Sequence, residues 1–453
     1  KGTSTGTVTD LDGTYSLANV QQGTVLVYSC VGYATQEITV GTQKVINVVL
    51  VDDTTYLDEV VVVAYGTARR RDLTGSLSEV KSETIAIQNT TTVSRALEGA
   101  APGIQVSAVD GQPGFDMAIR LRGASSTNGS SAAALIVIDG VAQQLNGTYE
   151  NPLAQLNPED IASVTVLKDA ASTALYGSRA ANGVVLITTK SGAKDGTLNV
   201  TASASVEISN AMRVPKLQSL FAPGSKGMYK ENSSTGGWGP YIQPGEQTYN
   251  NLGNFLGTGI QQKYDASISG GTEKFNSYAS VSYLDSEGIV PKDYKKQFIA
   301  FLKSSFNPSK QVNFQLSMNF TDTQSRGFGN SMSSIYAWGI NKNMADYQTL
   351  EGHVNWRARY DHWDDLTDLE RINCGASPYY GRYNDKSVTK SNHFVLNGQA
   401  SYTPIEDLVI TGRVGYDKSF SSYDSYSIPR LYDGDLRDPN DEKVLQALSG
   451  SQS

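Results

Sequence analysis

Cysteine is almost absent: Cys30 and Cys374 are the whole supply. They lie far apart in sequence, form no metal-ligand spacing, and no disulfide between them is expected. Histidine is nearly as scarce, with His353, His362 and His393 in no His-x-x-x-His or His-Glu-x-x-His pattern. Charged residues make up 18% of the chain and the net charge is −8, so no basic surface points to nucleic acid. No apolar run approaches the roughly 18–20 residues that a membrane-crossing helix needs. No signal peptide opens the chain, and Lys1-Gly2-Thr3 reads as the middle of a strand-and-turn pattern, so a clipped or processed start is expected. No nucleophile–base set, paired-carboxylate motif or metal cluster stands out, so neither an enzyme activity nor a cofactor or metal site is expected.

What the chain does contain is glycine, 43 residues of it, tyrosine, 25 residues, and length enough for two or three domains. Residues 1–51 read as a small β domain. Short runs (Thr14–Leu17, Thr24–Cys30, Ala34–Val40 and Val45–Val51) are separated by Asp-Gly, Gln-Gly and Gly-Thr turns, which suggests a sandwich. Asp10-x-Asp12-Gly13 lacks the later acidic ligand of a calcium loop and reads as a plain turn.

Residues 52–71 form a linker around Leu57-Asp58-Glu59-Val60-Val61-Val62-Val63-Ala64-Tyr65-Gly66-Thr67. Valine is stiff at its first side-chain torsion and favours extended backbone, so the run reads as a strand. Two readings stay open on the residues alone. The run is a core strand buried on both faces, or it is a detachable strand offered to a partner's sheet edge.

Residues 72–195 alternate α and β character. Val93–Leu97 fits a short helix. Ala118-Ile119-Arg120-Leu121-Arg122-Gly123 buries one face and carries arginine on the other. Ala132–Ile138 is a buried strand that ends on the tight turn Asp139-Gly140. Asn157 is an N-cap with Pro158 at the first helical position. Val164–Leu167 and Val184–Thr189 are strands, with an Ala-rich helix over Asp169–Leu175 between them.

From residue 196 to 453 the pattern becomes strict alternation, as in Val312–Thr321 and in the run Phe275, Ser277, Ala279, Val281, Tyr283. About seven such segments have the ~9–11-residue length of tilted transmembrane β-strands. Aromatics near segment ends (Tyr264, Tyr283, Phe306, Phe320, Tyr402, Tyr416) suit interfacial girdles. Short turns (Gly271–Lys274, Asn307–Lys310, Pro404–Asp407) alternate with long connections, as in outer-membrane barrels. About seven strands cannot enclose a domain the size of 72–195, since plugged barrels have ~22 strands. Further chain beyond Ser453, with about fifteen more such segments, is therefore expected.

The segment Asn157-Pro158-Glu159-Asp160-Ile161 followed by Val166–Gly192 resembles the end of the plug domain in SusC-type TonB-dependent outer-membrane transporters of Bacteroidetes. Ile119–Gly123 and Val137–Val141 resemble two earlier plug motifs, Leu57–Thr67 resembles the TonB box, and residues 1–51 resemble a carboxypeptidase-regulatory-like β-sandwich. The four motifs stand in family order over roughly residues 1–200, and the rest matches the family in pattern alone. Ala142 stands where the family commonly has proline, and the first strand of the regulatory-like domain is missing.

The resemblance implies a mainly β fold: a β-sandwich (1–51), a linker with the TonB box (52–71), an α/β plug (72–195) and the first part of a transmembrane antiparallel barrel (196–453) of 22 strands when complete. It implies TonB-dependent import of an oligosaccharide or peptide through the outer membrane, with a SusD-type lipoprotein lid and the TonB–ExbB–ExbD complex as partners. The barrel would cross outer-membrane lipid with its N-terminal domain and plug on the periplasmic side. The box would be Leu57–Gly66, its valines kept for TonB and its strand form absent or borrowed when TonB is away. Plug-motif residues would be Arg120, Arg122, Gly123, Asp139, Gly140, Tyr176, Gly177, Arg179, Asn182 and Gly183. Of these, Arg120, Arg122 and Arg179 are candidates to pair with wall carboxylates, or are ordinary surface arginines. Trp338, Trp356, Tyr360 and Trp363 in the long loop would meet substrate or lid, or pack the loop itself. A surface adhesin is the alternative, but it would need neither a mixed α/β domain nor a valine box ahead of the barrel.

Overall fold

The computed structural model describes residues 7, 9, 14–17, 20–30, 33–43, 45–50, 60–63, 66–69, 77–87, 90, 92–100, 102–107, 112–113, 118–121, 134–143, 152–168, 176–230, 238–327, 332–350, 354–355, 376–405 and 408–427. It is mainly β, as the alternation predicts.

The chain begins with an antiparallel hairpin, β1 (Val25–Cys30) and β2 (Tyr33–Thr39). The expected strands at Thr14–Leu17 and in the described part of Val45–Val51 do not form. Their backbone joins no ladder. Side chains hold them instead: Tyr15 Oη lies 2.6 Å from Tyr28 Oη and donates to the Ile46 carbonyl at 2.9 Å, and Gln36 donates to the Val49 carbonyl.

A second hairpin joins β3 (Val60–Val63) to β4 (Gly66–Arg69), with Val60 opposite Arg69 and Val63 opposite Gly66. Val60–Val63 thus has its strand form without a second chain. It is already paired within the chain, because a two-residue connection brings Gly66–Arg69 back alongside it.

Next come β5 (Leu77–Lys81), α1 (Ser82–Ile87), α2 (Val93–Ala96), β6 (Ile104–Ser107), β7 (Ala118–Leu121), β8 (Leu135–Ile138), β9 (Val141–Ala142), β10 (Ile161–Leu167) and β11 (Val184–Thr189). β6 and β7 pair with each other, while the others form a five-stranded sheet in the order β5-β10-β11-β8-β9. Only β8 and β11 run parallel in it. The uninterrupted apolar run of β11 has its reason here. Val185 and Ile187 pack with Val164, Val166, Leu97 and Leu121 on one face. Val184 and Leu186 pack with Leu135, Val137 and Leu167 on the other. A strand covered on both sides has no polar face to show. The α2 start is set by Thr92, whose side chain accepts from the Arg95 amide. The expected helix at Asp169–Leu175 lies outside the described residues.

The remainder builds a wall. Its strands are β12 (Asp195–Ser209), then after a small pair β13 (Gly224–Ser225) and β14 (Met228–Tyr229) and helix α3 (Asn251–Phe255), β15 (Gly259–Thr272), β16 (Phe275–Glu287), β17 (Tyr294–Ser309) and β18 (Val312–Arg326). Helices α4 (Ser333–Tyr336) and α5 (Pro378–Asn384) precede β19 (Lys386–Ile405) and β20 (Leu408–Tyr426). Seven strands pair in sequence order, every neighbour antiparallel, with β12 and β20 as the two edges.

Each wall strand has two chemistries. On β16 Phe275, Val281 and Tyr283 are exposed, while Asn276, Tyr278, Ser280 and Ser282 on the opposite face are buried. The register lines up Tyr264, Tyr283 and Phe298 in one outward row, and Phe275, Phe306 and Phe314 in another. On β16 these rows stand eight residues apart, about 26 Å along the strand. At the ~35–45° tilt of outer-membrane strands this is about 20 Å along the membrane normal, so the two rows fall near the borders of the ~25 Å apolar band, where aromatic girdles stand. At the end where the long connections lie, Leu252, Phe255, Val290, Ile335, Trp338, Met344 and Tyr379 make a separate small core.

The plug leaves its sheet through Gly192, where an added Cβ would lie 2.2 Å from the Ser277 backbone nitrogen. Backbone cannot step aside as a side-chain tip can, so Gly192→Ala is expected to hold the plug off the wall. Limited proteolysis of the folded receptor checks this: cleavage between residues 190 and 195 should rise several-fold over wild type.

Candidate functional site

The site is the contact between plug and wall, built from three plug turns laid on the inward face of β15–β20. The first is Asp139-Gly140, the two-residue loop of the β8–β9 hairpin. Both residues have positive φ, 46° and 82°, as a type I′ turn requires, and aspartate followed by glycine is its preferred pair. The strained backbone aims the Asp139 carboxylate along β11. There Oδ1 accepts the Thr189 amide at 3.1 Å and Oδ2 accepts the Thr189 hydroxyl at 2.5 Å.

Lys303, on the inward face of β17, closes this group. Its Nζ donates to Asp139 Oδ1 at 2.9 Å, to Thr189 Oγ1 at 2.9 Å and to the Thr189 carbonyl at 3.2 Å. The side chains of Lys303 and Asp139 are 4% and 13% exposed. All three ammonium hydrogens have acceptors, and all of these acceptors come from the plug. Gly140 then faces Arg413 of β20: an added Cβ would lie 3.0 Å from Arg413 Nη1.

The second turn is Asn157-Pro158-Glu159-Asp160. Asn157 caps it by accepting from the Glu159 amide, and Pro158 takes the first position, as expected, although the turn is a single 3₁₀ turn. The same Asn157 side chain donates to Asp265 and accepts from Lys263, both at 2.9 Å, and Lys263 pairs with Asp265 at 3.1 Å. Asp160 is 2% exposed and accepts from the Tyr278 hydroxyl of β16 at 2.9 Å. Burial pushes its carboxyl up to about 6, with the charge of Asp265 adding to the rise. Hydrogen bonds from Ser280 and Tyr278 and the charge of Lys190 pull the other way without cancelling it.

The third turn is Pro152–Gln155. Gln297 of β17 donates to the Ala154 carbonyl, and Asn319 and Thr321 of β18 donate to the Gln155 carbonyl, at 2.9–3.1 Å. These bonds read plug backbone, so they position the turn whatever its side chains.

The plug-motif residues named from the sequence divide clearly. Asp139 and Gly140 sit in the contact. Gly177 and Gly183 serve the plug's own turns with φ of 68° and 95°, and Asn182 and Tyr176 lie beside them. Of the two readings open for Arg179, the surface arginine fits: it is exposed, and its Nη2 donates to the Gln143 carbonyl of the plug. Arg120 is half-buried on β7 and has no wall carboxylate as partner among the described residues. Of the loop aromatics, Trp338 is 4% exposed and packs the loop core. Arg122, Gly123, Trp356, Tyr360 and Trp363 lie outside the described residues, as do Leu57, Asp58, Glu59, Ala64 and Tyr65 of the box. Val60–Val63 and Gly66 form the β3–β4 hairpin, and β3 runs within 8 Å of β11, Cα to Cα.

Sequence reasoning missed Lys263, Tyr278 and Lys303. Their signal was faint but present: each is a long polar side chain at an inward position of an alternating strand, where small serines and asparagines are the rule.

An antiparallel wall, apolar outside and polar inside, with an α/β domain pinned to its inner face, is the arrangement of a plugged β-barrel receptor. Residues 69–184 match the TonB-dependent Receptor Plug Domain, and residues 1–62 match the CarboxypepD_reg-like domain. TonB-dependent receptor P26 of Formosa agariphila is 38% identical over 343 residues, covering 74% of this chain and 34% of that protein. TonB-dependent receptor SusC of Bacteroides thetaiotaomicron is 39% identical over 304 residues, covering 66% and 29%. The fold is shared with the RagAB peptide importer in its open-open state, at a TM-score of 0.63 and 24% identity over 83% of this chain and 44% of that one. The chain belongs to the SusC-type TonB-dependent receptors and spans about a third of the length of these curated relatives.

Two outcomes test the site. Lys303→Ala leaves the Asp139 carboxylate buried without its cation, which costs about 3–5 kcal/mol. Earlier thermal release of the plug should show it, and Lys303→Met with Asp139→Asn should recover most of the loss. Asp160 gives a pH signature. Its pKa is raised on docking, so its contribution to stability is full below about pH 4 and lost as pH rises to about 6, a change of about 3 kcal/mol. Asp160→Asn keeps an acceptor for Tyr278 and should flatten that part of the stability–pH curve in a denaturant titration.

Proposed function

We propose that the complete receptor imports a large nutrient, an oligosaccharide or a peptide, across the outer membrane with energy drawn from TonB. The domain boundaries that serve this reading are 1–51, 52–71, 72–195 and 196–453, with the regulatory-like domain and plug on the periplasmic side and the wall in outer-membrane lipid. A SusD-type lipoprotein would cap the outer mouth, and the TonB–ExbB–ExbD complex would act on the box, Leu57–Gly66. No chemical step is assigned to the protein.

The observation that carries the reading is the plug's mode of attachment. Its seat is rich in polar contacts: the buried ion pair Lys303–Asp139, Tyr278–Asp160 and Asn157 between Lys263 and Asp265. Polar contacts are short-ranged and exchange with water when separated, so such a plug can be displaced and reseated. An extended valine segment ahead of the plug, able to pair through its backbone, suits a pulling partner.

Proline at Val62 removes a backbone donor from the box. In cells making the complete receptor, Val62→Pro should lower uptake at least tenfold while leaving surface binding of substrate unchanged. Uptake at the wild-type rate would remove the coupling role from this strand.

A further inference from the structure

Above the plug, the long-loop end of the wall holds a cavity of about 480 Å³, within the usual range for small-ligand sites. Its floor is formed by Ser387 of β19 and by Tyr423 and Ser425 of β20. These share the inward alternation of His393 and Asp417, so the cavity opens on the barrel lumen. Its sides are Arg326 from the end of β18, Arg382 of α5 and Lys386 at the start of β19. In a chain of net charge −8 this is a local excess of cations, since Asp385 is the only acid among the described residues of the lining.

The cations are not equivalent. Arg382 is consumed by the loops: its guanidinium pairs with Asp293 and donates to the Pro291 and Gly327 carbonyls. Arg326 Nη2 donates to the Arg382 and Asp385 carbonyls, while its Nε is buried without an acceptor. Lys386 is exposed, with no carboxylate paired to it among the described residues. Beside it, Tyr423 stands on the inward face of β20, the edge of the described sheet. A fixed guanidinium frame, one available ammonium, an inward aromatic side chain and a row of hydroxyls together suit a ligand with ring faces, many hydroxyls and negative charge.

We infer that this cavity is a lumenal subsite for an acidic oligosaccharide, one bearing uronate or sulfate groups, with Lys386 meeting the anion and Tyr423 stacking on a sugar ring. The inference rests on the import reading above and names its substrate class. The hydroxyls favour a saccharide over an acidic peptide, because Ser387 and Ser425 can donate to and accept from sugar hydroxyls in turn.

The test uses the complete receptor, purified with its companion lipoprotein, and three probes: an oligogalacturonate, a neutral oligogalactoside of equal length and an oligoglutamate. The oligogalacturonate should bind at least tenfold tighter than the neutral sugar, and that preference should shrink as salt is raised. Lys386→Gln with Tyr423→Ala should weaken oligogalacturonate binding at least tenfold, and Lys386→Arg should retain it. Equal affinity for the acidic and neutral sugars, or an unaffected double variant, overturns the assignment. Preference for oligoglutamate also overturns it and gives the cavity to acidic peptides. A receptor lacking Leu57–Gly66 separates the two readings: it should bind oligogalacturonate normally and import none. Import by that receptor would refute energy coupling through the box while leaving the subsite in place.

Discussion

A buried lysine governs this architecture. Lys303 sits at mid-wall on a strand whose other face is apolar, and its ammonium needs three acceptors where water is excluded. The plug provides all three, through Asp139 and Thr189. The dependence is mutual, because the Asp139 carboxylate would otherwise be held by a strained turn with no cation near it. Wall and plug thus each carry a charge that the other makes tolerable, which helps fix the depth and rotation of the plug.

That choice of chemistry explains the wall as well. An antiparallel strand shows alternate residues to opposite sides, so one sequence can meet two solvents. Outward rows of tyrosine and phenylalanine bracket mainly apolar residues such as Ile268, Val281 and Leu316, while inward positions mix serine, asparagine, glutamine and lysine with Ile299, Phe301 and Val395. Gln297, Asn319 and Thr321 use this inner face to hold plug carbonyls, so the plug's backbone is satisfied where water is scarce.

Under the import reading, the order of elements directs a pull. The hairpin of β3 and β4 precedes β5, an edge strand joined to β10 alone. Force entering through residues 70–76 meets that edge first, and the central pairing of β10, β11 and β8 lies behind it. Strand pairing within β3–β4 leaves one edge of β3 without a partner in its two-stranded sheet, the feature a pairing partner needs.

The residues alone determined the wall strands and the tight turns. Period-two alternation, Asp139-Gly140 and Asn157-Pro158 are local signals, and local physics obeys them in the fold. The sequence also placed the valine run as a strand, but its pairing with Gly66–Arg69 depends on a hairpin turn that periodicity does not report. The strands expected at Thr14–Leu17 and in the described part of Val45–Val51 do not form for a similar reason: β propensity does not supply a neighbouring ladder, and those segments are held by tyrosine and glutamine side chains instead. What only the tertiary structure decided was the contact itself. Lys303 and Asp139 are 164 residues apart, and Tyr278 and Asp160 are 118. Nothing in either stretch announces the other, because a buried charge finds its partner through the packing of two domains and not through spacing along the chain.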